Sequence, residues 1–445
     1  MLGNHNTISR EQTQCRLLYE LICIKYNDID NIIAICFPLR IREKVCKRMI
    51  GITNISPKTH KKMSNIDLSL DKKINIKFEN YPKVIHAIRD RLREWNESRP
   101  GSDTHGKATQ FLESLLLLPI GNFKRHPIID LRLTYFGDTS TIKIDSLLKK
   151  HESNLVKLID KPTIPPIPTT SWSTHWDKVR DFRFLRKSQI NKLQQTDHIM
   201  NETVYGCKPA KRIIRQLVAQ WLGSRDSPGC VIGLEGPPGV GKTTIVREGI
   251  ARCFGTRDKP HPFEFISLGG ATNNSTLVGW TYTWHTSSYG RIASALIKHK
   301  CMNPILYFDE LDKVSSTNEG REIISILTHL TDPAQNSIFK DRYFADIPLD
   351  LSKCLVVFSY NDPYAIDPIL LDRVQRIKID PMTIQAKIQV AKLFLLPNIC
   401  KEVGVLPYTI PENLIKFIIE RYTNEAGVRK LKELLLTIIR ERNRL

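Results

Sequence analysis

The segment Gly236-Pro-Pro-Gly-Val-Gly-Lys-Thr243 constrains this chain more than any other stretch. It follows an apolar run, Cys230 to Leu234, that reads as a buried strand, and it precedes a helical pattern from Thr244 to Cys253. Strand, glycine-rich turn and helix in that order make a P-loop, in which backbone N–H groups turn inward around phosphate oxygens at a helix N-terminus. The expected cradle is Gly236, Pro237, Pro238, Gly239, Val240, Gly241, Lys242, Thr243 and Thr244. Lys242 places a point charge on the β- and γ-phosphates, and the Thr243 hydroxyl can ligate Mg²⁺. A structural glycine-rich turn is the alternative, and the flanking strand and helix argue against it.

A second apolar run, Pro304 to Phe308, ends in Asp309-Glu310. Beside a P-loop, an aspartate at a strand end is placed to hold Mg²⁺, and a following glutamate to polarise an attacking water. Taken alone, the same residues also fit a solvated acidic turn, since Asp312 and Lys313 follow. A third run, Leu355 to Ser359, ends in Tyr360-Asn361, and a fourth, Arg376 to Ile379, follows Leu370-Leu-Asp-Arg373. Polar groups at the carboxyl ends of parallel strands face the crevice where ligands bind, so Asn361 can orient water or a γ-phosphate. A turn-capping role competes for that asparagine. Short β-rich runs alternating with longer helical ones specify a parallel sheet covered by helices.

The rest of the chain is less specific. At 445 residues it has room for two to four domains. Its apolar stretches, Leu115 to Ile120 among them, are far too short to cross a bilayer, and the N-terminus lacks an apolar signal segment, so a soluble intracellular protein without membrane contact is expected. Ten cysteines are scattered without a C-x-x-C pair, which points to reduced thiols rather than a zinc or disulfide framework. The net charge of +20 is spread along the chain: residues 1–200 carry 34 basic and 21 acidic side chains. Such an excess attracts nucleic acid or acidic proteins, but its spread weakens any one footprint. Helical spacing occupies Cys15 to Met49, Tyr81 to Trp95, Lys107 to Leu118 and Lys178 to Gln195. Asp160 to Thr170, with four prolines, reads as a semi-rigid spacer.

The order of P-loop, Asp-Glu strand, strand with terminal Asn and Leu-Leu-Asp-Arg resembles AAA+ ATPases, and the details resemble the ATPase module of the Lon protease family. The matching text includes Val204-Tyr-Gly206, Ile266-Ser-Leu-Gly-Gly270, FDELDKVSS from Phe308, LTDPAQN from Leu330, PLDLS before the third strand and NEAGVRKL from Asn424. It covers 196–440, with weaker similarity at Lys107 to Phe123. The resemblance implies an α/β fold: a doubly wound parallel sheet over 196–380 and a small helical lid domain over 381–445. A mainly helical N-terminal region would precede them, as a segment of unknown role over 1–80 and pre-ATPase helices with the Pro-rich linker over 81–195. The cofactors implied are ATP and Mg²⁺.

Carried over residue by residue, the resemblance adds Tyr205 and Gly206 to the nucleotide site and Asp309 beside Thr243 to the metal site. It makes Glu310 the activator of water and Asn361 a first sensor. Arg373 becomes an arginine finger reaching a neighbour's nucleotide, and Arg429 a second sensor from the lid. A finger acting in trans implies a homo-oligomeric ring, hexameric by resemblance. A pore loop is implied in Gly279 to His285, with Trp284 and His285 gripping substrate, although a histidine replaces the usual aliphatic residue. The chain ends at Leu445 without a serine in a G-P-S-A-G setting, so peptide-bond hydrolysis is not expected of it. The function expected is ATP-driven remodelling or unfolding of protein substrates in a ring. A nucleic-acid-binding ATPase, and the ATPase component of a split protease paired with a separate peptidase, remain as alternatives.

Overall fold

A computed structural model describes residues 69–136, 146, 150, 170–224, 227–256, 259–270, 273–282, 287–344 and 347–444. The chain from Leu70 onward forms one compact unit. The early periodic run at Cys15 to Met49 and, apart from Thr170, the Pro-rich spacer lie outside the described residues.

Five strands form one parallel sheet: β1 (Val231–Glu235), β2 (Phe263–Ser267), β3 (Ile305–Asp309), β4 (Leu355–Tyr360) and β5 (Gln375–Lys378). Their order across the sheet is β2-β3-β4-β1-β5. In register, Glu235 pairs with Tyr360, Phe308 with Phe358, and Ser267 with Asp309, so the polar strand ends collect along one edge. β1 lies between β4 and β5, where the winding direction changes, and a crevice opens there outside the carboxyl ends.

These strands read as continuous apolar runs because both faces of the sheet are covered. Alternate residues serve opposite layers. Leu306, Phe308, Val356, Phe358 and Tyr360 join one core, while Ile305, Tyr307, Leu355 and Val357 join the other. The first core also receives Ile74 and Phe78 from helix Leu70–Phe78, Val84 from Pro82–Ala87, Ile88 from the junction before helix Arg89–Glu97, and Phe111 and Leu112 from Asp103–Leu117. Phe111 stands 5.4 Å from the Tyr282 ring, edge-on, and 5.5 Å from that of Tyr343. The opposite face carries Thr170–Thr203, Lys208–Gly223 and the helix over 242–254, whose middle, Ile245–Ile250, is π-helical.

The C-terminal helices over 384–403, 412–423 and 429–444 enclose a core of their own, including Ile388, Ile399, Ile415, Leu431 and Leu435. Six cysteines are described, from Cys207 to Cys400, and all are free thiols. Among the described residues no helix is long and apolar enough to cross a membrane.

Candidate nucleotide site

The loop after β1 turns on glycine. Gly239 and Gly241 have φ of 80° and 91°, a left-handed backbone that side chains disfavour, and Gly241 caps the helix that Lys242 begins. The Lys242 ammonium donates to the carbonyl oxygens of Gly236 and, at 3.3 Å, Pro237, and to Asn361 Oδ1 at 2.7 Å. Burial lowers its pKa, while the Asp309 and Asp312 carboxylates act in the opposite direction.

At the end of β3, Asp309 Oδ1 accepts from the Ser359 hydroxyl, from Tyr307 OH at 3.2 Å and from the Glu310 backbone N–H at 3.2 Å. Tyr307 OH also lies 3.1 Å from Thr243 Oγ1, and burial pushes its pKa up to about 12. Thr243 and Asp309 are thus joined through one phenol hydroxyl. Both offer hard oxygen ligands, the kind Mg²⁺ takes in small number alongside water and phosphate oxygens. Among the described residues no group of three or more His, Cys, Asp or Glu side chains forms a dedicated metal cage, and the donor set fits Mg²⁺.

Glu310 is exposed and left-handed at φ 59°, ψ 47°, an arrangement costing a non-glycine residue about 1–3 kcal/mol. Its carboxylate lies over Gly269, where a Cβ would fall 1.9 Å from Glu310 Oε2. The loop bearing Asn361 is fixed by Asp312, whose side chain is buried and whose Oδ2 accepts from the N–H groups of Asn361 and Asp362 at 3.2 and 3.3 Å.

The lid reaches the P-loop through backbone. Val428 N donates to Gly239 O at 3.1 Å, and a Cβ on Gly427 would lie 2.1 Å from the Gly239 carbonyl carbon. Glu425 caps the last helix by accepting from the N–H groups of Arg429, Lys430 and Leu431 at 3.0, 3.1 and 3.0 Å. Arg429 is exposed, and its backbone abuts Gly239.

The structure therefore brings together Lys242, Thr243, Asp309 and Asn361, with Glu310 adjacent and Arg429 at the lid contact. Arg373 is placed differently: Nη1 is 2.9 Å from the Thr328 carbonyl oxygen and 3.1 Å from Asp332 Oδ2. The backbone N–H of Ala334 and, to a smaller extent, the Arg373 contact hold the half-buried Asp332 carboxyl below its usual pKa. Tyr205 and Gly206 are exposed in the turn before the helix Lys208–Gly223. Trp284 and His285 lie outside the described residues. Tyr307, Ser359, Asp312 and Gly427 were not anticipated from sequence. For Tyr307 a signal existed, because two residues before Asp309 in a strand means the same face.

Residues 232–381 match the AAA family, described as ATPases associated with various cellular activities, and residues 406–444 match the Lon protease AAA+ ATPase lid domain. A Lon protease homolog of Acanthamoeba polyphaga mimivirus is 40% identical over 252 residues, covering 56% of this chain and 24% of the relative. The Lon protease of Dictyoglomus thermophilum is 36% identical over 252 residues, 56% of this chain and 31% of its own length. A peroxisomal Lon protease homolog 2 of Zea mays is 35% identical over 268 residues, 60% and 29% respectively. The chain thus spans 24–31% of the length of these relatives. An AAA domain followed by a Lon lid makes up the C-terminal part of this chain, as the AAA+ ATPase module of the Lon protease family.

Proposed function

We propose that the chain hydrolyses ATP in a Mg²⁺-dependent reaction and uses the cycle to remodel or unfold protein substrates within a ring of its own copies. The observation that carries the hydrolytic part is the convergence, at the carboxyl ends of β1, β3 and β4, of Lys242 bonded to Asn361 and of Thr243 and Asp309 joined through Tyr307. Incoming phosphate oxygens are received by the P-loop N–H groups and by Lys242, which exchanges the Asn361 amide oxygen for them. Asn361, its loop held by Asp312, is thereby freed to orient the γ-phosphate or the attacking water. Glu310 accepts the proton of that water. Thr243 and Asp309 would hold Mg²⁺, which when bound would supply positive charge against the phosphates.

The lid contact at Gly239 carries Arg429 toward the phosphates of its own chain, while Tyr205 and Gly206 border the nucleotide from the preceding turn. Arg373 serves as a finger for a neighbouring copy, an effect worth about 10³–10⁵ in rate. The relatives are named as proteases, which supports protein substrates, gripped in this proposal by Trp284 and His285. No peptide-bond cleavage is assigned to these residues, because the similarity falls on the ATPase and lid regions.

Phosphate release by wild type, Lys242→Ala and Glu310→Gln tests the site. Lys242→Ala should lose nucleotide binding, and Glu310→Gln should bind ATP but retain it. Equal turnover by Glu310→Gln and wild type would sink the assignment. Stimulation by unfolded polypeptide supports the remodelling role, whereas salt-sensitive stimulation by DNA alone would replace it with a nucleic-acid motor.

A further inference from the structure

We infer that Tyr307 is a positioning residue for the metal ion of the proposed ATPase site, acting on both protein ligands at once; the inference rests on the reading of Thr243 and Asp309 as those ligands. Tyr307 is fully buried in β3, two residues before Asp309 and on the same face of the strand. A phenol carries one proton. Asp309, ionised, can only accept, so in the 3.2 Å contact Tyr307 OH donates to Asp309 Oδ1. In the 3.1 Å contact the phenol oxygen must then accept, and the Thr243 hydroxyl donates. The direction of both hydrogen bonds follows from counting protons.

That direction has a consequence for the metal. A threonine hydroxyl ligates through a lone pair, and it does so best when its own proton is already directed at an acceptor on the far side. Tyr307 supplies that acceptor, turning the lone pairs of Thr243 away from the sheet. On Asp309, Tyr307 is one of three donors converging on Oδ1, with Ser359 Oγ and Glu310 N, while Oδ2 has no hydrogen bond among the described residues. One carboxylate oxygen is anchored by the protein and the other is presented. Outer partners of this kind typically change metal affinity by about 10–100-fold when removed.

The ring itself is held by apolar neighbours, with the Phe263 and Phe265 centroids 5.9 and 5.6 Å away. Tyr307→Phe therefore removes the hydroxyl and keeps the packing. The full chain is titrated with Mn²⁺ in the presence of ADP, free Mn²⁺ being followed by its paramagnetic resonance signal, and ADP affinity is measured separately in EDTA. Tyr307→Phe is expected to weaken Mn²⁺ binding about tenfold and to raise by a similar factor the Mg²⁺ concentration for half-maximal phosphate release, with ADP affinity in EDTA unchanged. Ser359→Ala, which removes one of the three donors to Asp309 Oδ1 and leaves the contact between Tyr307 and Thr243 in place, should weaken Mn²⁺ binding by a smaller factor. Equal Mn²⁺ affinity in Tyr307→Phe and wild type overturns the inference whatever the turnover, and so does a parallel loss of ADP affinity in EDTA, which marks general damage. Wild type that binds Mn²⁺ and ADP but releases no phosphate from ATP would refute the ATPase reading while leaving the comparison of metal affinities valid.

Discussion

Adding a single methyl group at Gly427 should uncouple the lid from the P-loop. The lid's closest approach to the nucleotide loop is glycine against glycine: a Cβ on residue 427 would sit 2.1 Å from the Gly239 carbonyl carbon and 2.3 Å from its oxygen. Both are backbone atoms of a loop whose conformation is fixed by positive φ at 239 and 241, so neither can yield as a side-chain tip would. The lid must retreat instead. Retreat breaks the 3.1 Å bond from Val428 N to Gly239 O, a loss of about 0.5–1.5 kcal/mol. Any overpacking that remains costs about 1–3 kcal/mol. Docking should weaken by about 1.5–4.5 kcal/mol in sum, and at 1.4 kcal/mol per decade this lowers nucleotide affinity by about 10- to 1,500-fold if binding needs the docked lid. The lid itself should survive, because its core of Ile399, Ile415, Leu431 and Leu435 does not include Gly427. The assay is titration with a fluorescent ADP, alongside circular dichroism melting. Gly404→Ala serves as a control, since that glycine has positive φ but open space around it. Wild-type affinity and turnover in Gly427→Ala, with unchanged melting, would refute the role of this contact.

Three further outcomes are expected. Mixing inactive Arg373→Ala with Glu310→Gln should restore part of the phosphate release, because some interfaces then join an intact Glu310 to a neighbour's Arg373; additive zero activity would refute action in trans. His261, buried and donating from Nε2 to the Asn303 carbonyl at 2.7 Å, has its pKa lowered by burial to about 4. The unfolded chain therefore binds the extra proton first, and stability present above about pH 6.5 should fall on acidification toward pH 4, by on the order of 3 kcal/mol for this group. Melting curves against pH should flatten over that window in His261→Phe, and an unchanged slope would exclude His261 as the source. Trp284→Ala should abolish stimulation by unfolded polypeptide while nucleotide binding persists, and retained stimulation would remove Trp284 from the gripping role.

The local nucleotide-binding architecture was legible in the sequence because it is contiguous. β1, the turn and its helix occupy 231–254, and the phosphate cradle depends on backbone angles that Gly239 and Gly241 set for themselves. The parallel sheet was legible for a related reason: strands buried on both faces become unbroken apolar runs, and Asp309 and Asn361 appear at the strand ends whatever surrounds them. The lid and the roles proposed for Arg373 and Arg429 were accessible only through family resemblance, since an arginine carries no periodic signal.

Tertiary structure alone decided which of these groups meet. Lys242 and Asn361 are 119 residues apart, and Thr243 and Tyr307 are 64 apart. Their contacts follow from the strand order that sets β1 beside β4 and β4 beside β3, and many local sequences permit other orders. The same holds for Gly239 against Gly427 and for Arg373 against Asp332, where a hydrogen bond or a close approach depends on ångström-scale placement. Local propensity is written in neighbouring residues, whereas the chemistry of the site is set by distances between strand ends, which no single segment specifies.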